Sequence, residues 1–422
     1  MPSLQVCVEV SEKWEGEKVA KELVEKIKQK VPNPKFILLF ATIDYKDEFK
    51  KILSGLKTAF PKSPLIGGTV MAFITPENCY ARGVTAFALN YSQMDVAVGI
   101  GHNTKRNPKK AAKECSKMIE NKLKDSKYKN KILLSFISGS EVPEFPGVGR
   151  KSIIKSGTLA KTMMSSFKFS QEVLQKGFGR ECEVLDELIK NLPTYYLIGG
   201  SLVDDKLNEN YQFLNENFFT ESVVCLGIKT DINFNLNYAN GAVLGDIKFK
   251  ITKFSEDKQI VHEINNKPAV PEFLKLMNWP ENFVDEKRWK RILPYFPVAF
   301  NKNNEIFLRP ISMMLSNSMG FMSRIETSNV FVTFMSGLRM VNAVNDTLTK
   351  KYKPDFGLFS SCAVRLMGLG YKIYDVRKKL LNYFEGKPFL LIYAAGEYVY
   401  EPKIGLQYLQ ESIASSLFKV PK

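Results

Sequence analysis

A pentapeptide that occurs twice constrains this chain more than any other feature. Leu65-Ile66-Gly67-Gly68-Thr69 and Leu197-Ile198-Gly199-Gly200-Ser201 set their glycine pairs 132 residues apart. In each, two apolar residues lead a strand into two positions without side chains, where the backbone can approach a neighbouring strand or a ligand closely. The surroundings repeat as well. Phe36 to Phe40 and Ile132 to Phe136 are continuous apolar runs of the kind that form strands buried on both faces. Helical stripes follow, Phe49, Ile52, Leu53, Leu56 and Phe60 in one case and Val184, Leu185, Leu188, Ile189 and Leu192 in the other. Each glycine pair then gives way to a further strand, Val84 to Leu89 and Ser222 to Ile228. The expectation is an α/β to α+β protein in which two duplicated α/β units, about 1–100 and 129–230, carry mixed sheets flanked by helices.

The remaining pattern divides the chain into an N-terminal domain, 1–265, and a C-terminal α+β domain, 266–422. A strand at Leu4 to Val10 and an amphipathic helix on Val19, Leu23, Ile27 and Val31 open the first unit, and Asp44 is placed to cap its second helix. In the C-terminal domain, strands are expected at Glu305 to Arg309, Val330 to Phe334 and Phe389 to Tyr393, and a last helix on Leu406, Leu409, Ile413 and Leu417. Val142 to Lys168, rich in Pro, Gly, Ser and Thr, reads as a long loop able to cover a site.

Composition excludes several function classes. Six scattered cysteines form no Cys-x-x-Cys pair and have no histidine at zinc-ligand spacing, which predicts a reducing, cytoplasmic setting without disulfide framework or structural zinc. No apolar run approaches the roughly 18 residues of a membrane span, and residues 1–13 lack the apolar core of a signal peptide, so no membrane partner is expected. The formal net charge of +16 permits anionic partners. Yet the most basic stretch, Lys105 to Lys131, holds Tyr128 as its one aromatic, against the interleaved aromatics of single-strand nucleic-acid readers; it reads as a helix with a solvated basic face. Gly147-Val148-Gly149-Arg150-Lys151-Ser152 has one residue between its glycines where a phosphate loop needs four. His102 and His262 lie near no nucleophile elbow, which argues against acyl-transfer chemistry.

Asp355 to Arg365 points to a site. A buried strand there runs into Ser360, Ser361, Cys362 and Ala363 and then one cation, Arg365. Small residues at a strand's carboxyl end leave room for a ligand, and open α/β sheets bind ligands at that edge. The strand at Phe389 to Tyr393 ends alike, in Ala394-Ala395-Gly396-Glu397. Arg365 offers a planar fork to a carboxylate and Glu397 can meet an ammonium, so the two together suit an amino-acid-like zwitterion; equally, the two can pair with each other. Arg309 is a second candidate anion contact. Cys362 reads either as a buried filler or as a thiol nucleophile, for which no general base is visible nearby.

Phe359-Ser360-Ser361-Cys362, with Arg365 three residues on and Gly396-Glu397 after the next strand, resembles the C-terminal half of the FIST family, named for F-box and intracellular signal transduction proteins. The glycine pairs Gly67-Gly68-Thr69 and Gly199-Gly200-Ser201, with Ile251-Thr252-Lys253, resemble its N-terminal half, and Asn265 to Ala269 resembles the turn between them. The chain departs from the family at Gly396 to Pro402, two residues longer than the usual turn, and at Gln410-Glu411-Ser412-Ile413, which replaces a His-Asn-x-Thr-like segment. The resemblance implies a sensory module for a small, amino-acid-like or other anionic metabolite. It implies no obligatory cofactor, haem being proposed for some members, and an output through an unidentified protein partner. The ligand-binding residues it suggests are Gly67, Gly68, Thr69, Gly199, Gly200, Ser201, Arg309, Ser361, Cys362, Arg365, Gly396 and Glu397, with none assigned to catalysis or to a metal. A thiol-dependent enzyme using Cys362 and a protein or nucleic-acid adaptor using the Lys105 to Lys131 face are the alternatives.

Overall fold

The computed structural model describes residues 3–141, 151–205, 209–302, 305–349 and 352–421. Its framework is one unit used three times. The first comprises β1 (Gln5–Ser11), α1 (Gly16–Lys30), β2 (Phe36–Ala41), α2 (Phe49–Ala59), β3 (Leu65–Thr69) and β4 (Val84–Asn90). The second repeats the order as β5 (Met94–His102), α3 (Pro108–Leu123), β6 (Asn130–Ser138), α4 (Glu181–Asn191), β7 (Tyr196–Leu202) and β8 (Ser222–Thr230). The third is β9 (Asn233–Ala239), α5 (Gly337–Asp346), β10 (Phe356–Cys362), α6 (Ile373–Phe384), β11 (Phe389–Ala394) and β12 (Ile413–Lys419). In every unit the second and third strands pair in parallel, joined by a helix, and the first and fourth strands add antiparallel on the far side.

Each unit also carries a hairpin between its third and fourth strands, and the hairpins are exchanged in a ring. The first unit's hairpin (72–80) extends the third unit's sheet beside β11, the second's (212–219) extends the first unit's sheet beside β3, and the third's (397–409) extends the second unit's sheet beside β7. Every sheet is thereby closed by a neighbour, which leaves its third strand with no free edge.

The three inner faces meet in one apolar core that includes Phe40, Phe87, Leu134, Phe136, Ile198, Phe356, Ile392 and Phe418, while each outer face is covered by its own two helices. Strands between two apolar layers are buried on both faces, which is why Phe36–Ala41 reads as an unbroken apolar run. Into the third unit, between β9 and α5, is inserted a further antiparallel sheet built from strands between Val243 and Phe334, with the helices Ala269–Leu276 and Glu286–Ile292 packed on its own core. The expected boundary at 265 falls within this insertion.

Four local expectations need correction. The last helix on Leu406, Leu409, Ile413 and Leu417 is instead the hairpin strand Gly405–Leu409 and β12, parted by Glu411 in a left-handed conformation (φ 51°). Both faces of β12 are covered, so its apolar residues show no alternation, and their spacing of three or four imitates a helix. Of the loop expected at Val142 to Lys168, residues 142–150 lie outside the described residues, and the rest forms a short strand, Ile153–Ile154, and the helix Gly157–Phe169. Asp44 makes no cap: it accepts a hydrogen bond from the Thr42 hydroxyl. Lys105 is fully buried rather than part of a solvated basic face.

Candidate functional site

The sheets' carboxyl edges converge as the sequence pattern predicts, and a cavity of about 510 Å³ opens there. One wall consists of residues at or just past strand ends: Met71 after β3, Ser140 after β6, Val203 after β7, Cys362 closing β10 and Ala395 after β11. The opposite wall comes from the insertion, chiefly Trp289, Lys290, Pro310, Ser312, Met313 and Met322. The parallel strands therefore supply small residues, and the inserted sheet supplies the bulk that closes the space.

The polar groups in this wall are few. Glu181, the first residue of α4, is buried, and burial pushes its carboxyl up to about 7, restrained by its own backbone N–H, Lys105 and Ser201. Gln410 and Trp289 are each 3% exposed, and among the described residues neither Gln410 Oε1 nor the Trp289 indole N–H has a hydrogen-bond partner. Lys151 and Asp205 stand exposed at the rim, and Lys290 pairs with Glu286 at 3.3 Å.

Most residues expected at the site serve the framework. Gly67 and Gly199 let the neighbouring strand in: a Cβ at either would lie 1.8 Å from a backbone oxygen, of Leu39 and Ser135 respectively. Gly68 and Gly200 are closed by Tyr211 and Leu202, and by Ser360 and Ala394. Thr69 accepts from the Tyr211 N–H, and Ser201 donates its backbone N–H to Gly396 O. Ser361 donates to Ser412 O at 3.4 Å.

Arg365 is 1% exposed and absent from the cavity wall, because backbone carbonyls of Asn240, Glu411 and Met340 fill its fork at 2.9, 3.1 and 2.6 Å. Arg309 is likewise sealed, by the carbonyls of Arg324, Leu308 and Tyr408. Neither guanidinium is free to receive a carboxylate, so both leave the ligand-facing set. Glu397 is fully buried, accepts from the Ser412 N–H, and is held well above the usual carboxylate range by burial. Of the twelve expected residues, Cys362 alone is in the wall. Burial, reinforced by Glu397, holds its thiol well above the usual value.

The sequence held a weak signal for what was missed. Gln410 belongs to the segment that departs from the family pattern, and Trp289 lies in the inserted sheet's helix Glu286–Ile292. No spacing rule links either to the glycine pairs, because a sheet insertion brings them there.

The cavity's donor set does not suit haem: neither histidine lines it, His102 facing Ser222 and His262 facing Ser318, and its one thiol is held protonated. Among the described residues no helix is long and apolar enough to cross a membrane. No sequence among curated proteins matches the chain. Among solved structures, a cyanuric acid hydrolase from A. caulinodans is similar over 99% of this chain and 100% of its own, with a TM-score of 0.35 and 5% identity. The FIST N domain model matches residues 35–267, just over half of the 422. The chain belongs to the FIST family, whose domain marks a sensory, signal-transducing module that binds a small ligand.

Proposed function

We propose that the ligand, an amino-acid-like or other small anionic metabolite, occupies the 510 Å³ cavity where the strand tips meet the insertion. The observation that carries this reading is the cavity itself, which sets Glu181 and Gln410 in a lining that is otherwise largely apolar, with Trp289, Pro310, Met313 and Met322 facing the strand tips. A few polar side chains in such a space are the mark of a site that orients a small polar molecule. Glu181 and Gln410 suit an ammonium, while Lys151 and Lys290 suit a carboxylate. The raised Cys362 thiol supports binding without covalent chemistry, since the thiolate is the reactive form. Six free cysteines fit a cytoplasmic location.

A thermal-shift screen against amino acids, organic acids and nucleotides tests this. Saturation at about 100 times the dissociation constant adds about 2.7 kcal/mol. Glu181→Gln and Gln410→Ala should each lose most of the shift while remaining folded. A shift that survives in Met313→Trp, which fills the cavity, would place the ligand elsewhere.

A further inference from the structure

Beside the cavity the surface carries an unusual group of exposed apolar side chains. Leu338 at the start of α5 is 60% exposed, Met367 in the helix Ala363–Leu369 is 47% exposed, and Tyr371 and Tyr374 are 79% and 55% exposed. The backbone brings them together: a Cβ on Gly337 would lie 3.1 Å from both Gly368 O and Lys372 Cδ, so the neighbours of all three residues share one surface. Tyr371 and Tyr374 are three residues apart and Lys378 follows four later, a spacing that sets them along one side of α6 and its approach. Scattered exposed apolar residues need no explanation, but a contiguous set with two tyrosines is what protein interfaces use.

The charge around this patch is mainly positive. Arg339, Lys372 and Lys378 have no carboxylate partner among the described residues, against Asp375 on the same face of α6. Met367 also lines the cavity, so one side chain is in contact with the ligand space on the inside and with the patch on the outside.

We propose that this patch docks an acidic, amphipathic segment of the protein that receives the signal, and that Met367 reports cavity occupancy to it. Apolar anchors would settle on Leu338 and the two tyrosines, with Met367 at the edge of the contact, while carboxylates meet the surrounding cations. The coupling through Met367 rests on the cavity being the ligand site; the docking surface does not. A partner surface, rather than a lipid surface, follows from that shared residue: a ligand-dependent side chain is useful to a partner that reads its position.

Selection of displayed peptides on the folded full chain tests the surface. The expected consensus is acidic with Leu, Phe or Trp at helical spacing. Its affinity should fall at least tenfold in Tyr371→Ser/Tyr374→Ser and in Arg339→Glu/Lys378→Glu, all surface changes that leave the melting temperature nearly unchanged. Peptides that are not acidic, or whose binding ignores both variants, overturn the proposal. Preferential binding to phosphatidylserine vesicles, lost in the same variants, overturns it in favour of a membrane surface. Met367→Ala separates the two readings: it should leave peptide affinity within about threefold yet abolish any change in that affinity on adding a ligand found by thermal shift. Ligand-independent peptide binding in the wild type would remove the coupling and keep the surface.

Discussion

Units two and three share an architecture but solve one packing problem in different ways. In unit two Gly199 on β7 lies opposite Tyr398 of the swapped hairpin, as Gly67 on β3 lies opposite Phe213 in unit one. In unit three the same register position holds two aliphatic residues: Leu391 on β11 lies opposite Ile74 of its hairpin. A glycine with an aromatic fills the junction in units one and two, and two aliphatic side chains share it in unit three. Tyr398, reaching over Gly199, donates to Ser135 O and lies 3.0 Å from Gly200 O, so the aromatic also pins the parallel pair it covers. Repetition of the fold therefore requires conserved volume across a junction, and not conserved sequence along a strand.

The largest effect should come from violating this rule. In Gly199→Tyr the new side chain meets Ser135 O and the Tyr398 ring, and the cost should exceed about 5 kcal/mol, enough to prevent folding. The aliphatic junction of unit three offers a cleaner test. Ile74→Tyr and Leu391→Gly, which together recreate the pairing of unit two, should each cost more than about 3 kcal/mol in chemical denaturation, and the double variant should recover about 1–3 kcal/mol of their sum. Strict additivity would show that the junction is not shared volume.

The same exchange explains what the sequence disclosed. The two glycine pairs revealed units one and two because a missing side chain leaves a recognisable string. Unit three kept the geometry and lost the string, Leu391-Ile392-Tyr393 standing where the others have Gly-Gly-Thr and Gly-Gly-Ser, and the insertion of residues 243–334 parted its first strand from its second. The carboxyl-edge location of the cavity followed from strand-and-helix order alone. Its polar residues did not, since Arg365 and Arg309 look like ligand cations in sequence, and only backbone carbonyls from distant loops show their forks to be occupied.

The corners of the units sharpen the comparison. Counted from the register of the second and fourth strands, Arg82, Glu221 and Glu411 are equivalent, and so are Tyr45, Glu141 and Arg365. In unit one Arg82 donates to the Tyr45 hydroxyl at 2.7 Å near the surface. In unit two Glu221 and Glu141 share the buried Lys105, at 3.0 and 3.8 Å. In unit three Arg365 donates to Glu411 O. Arg365→Met strands three buried carbonyls and leaves Glu397 and Glu411 without a nearby cation, so it should cost about 3–5 kcal/mol. Arg82→Met, at the half-buried corner, should cost about 1 kcal/mol. Equal losses would mean that the corners are interchangeable.

Corner and cavity carboxyls make stability fall as pH rises. Burial pushes Glu411 up to about 8 and Glu141 and Glu181 up to about 7, and neither oxygen of Glu411 has a hydrogen-bond partner. Because these groups hold their protons more tightly folded than unfolded, their contribution is complete below about pH 4.5. It is lost as pH climbs through 7 and 8, at up to about 1.4 kcal/mol per pH unit for each group. Glu411→Gln should therefore flatten the decline in melting temperature between pH 5.5 and 8.5. An unchanged slope would show that Glu411 is ionised in the folded protein.

The smallest effect is expected where the units already differ by one atom. Cys362 is equivalent in register to Ser138 of unit two and Thr42 of unit one, so the framework tolerates a hydroxyl at that place. Its thiol lies 3.9 Å from Ala395 O, a weak contact that a serine can replace, and Cys362→Ser should cost about 1 kcal/mol or less. The variant should also keep the ligand-induced thermal shift, since Glu181, Gln410 and Trp289 are untouched. A folded Cys362→Ser protein that loses a biological response while retaining ligand binding would give the thiol a chemical role, and would make unit three differ from its siblings in reactivity as well as in packing.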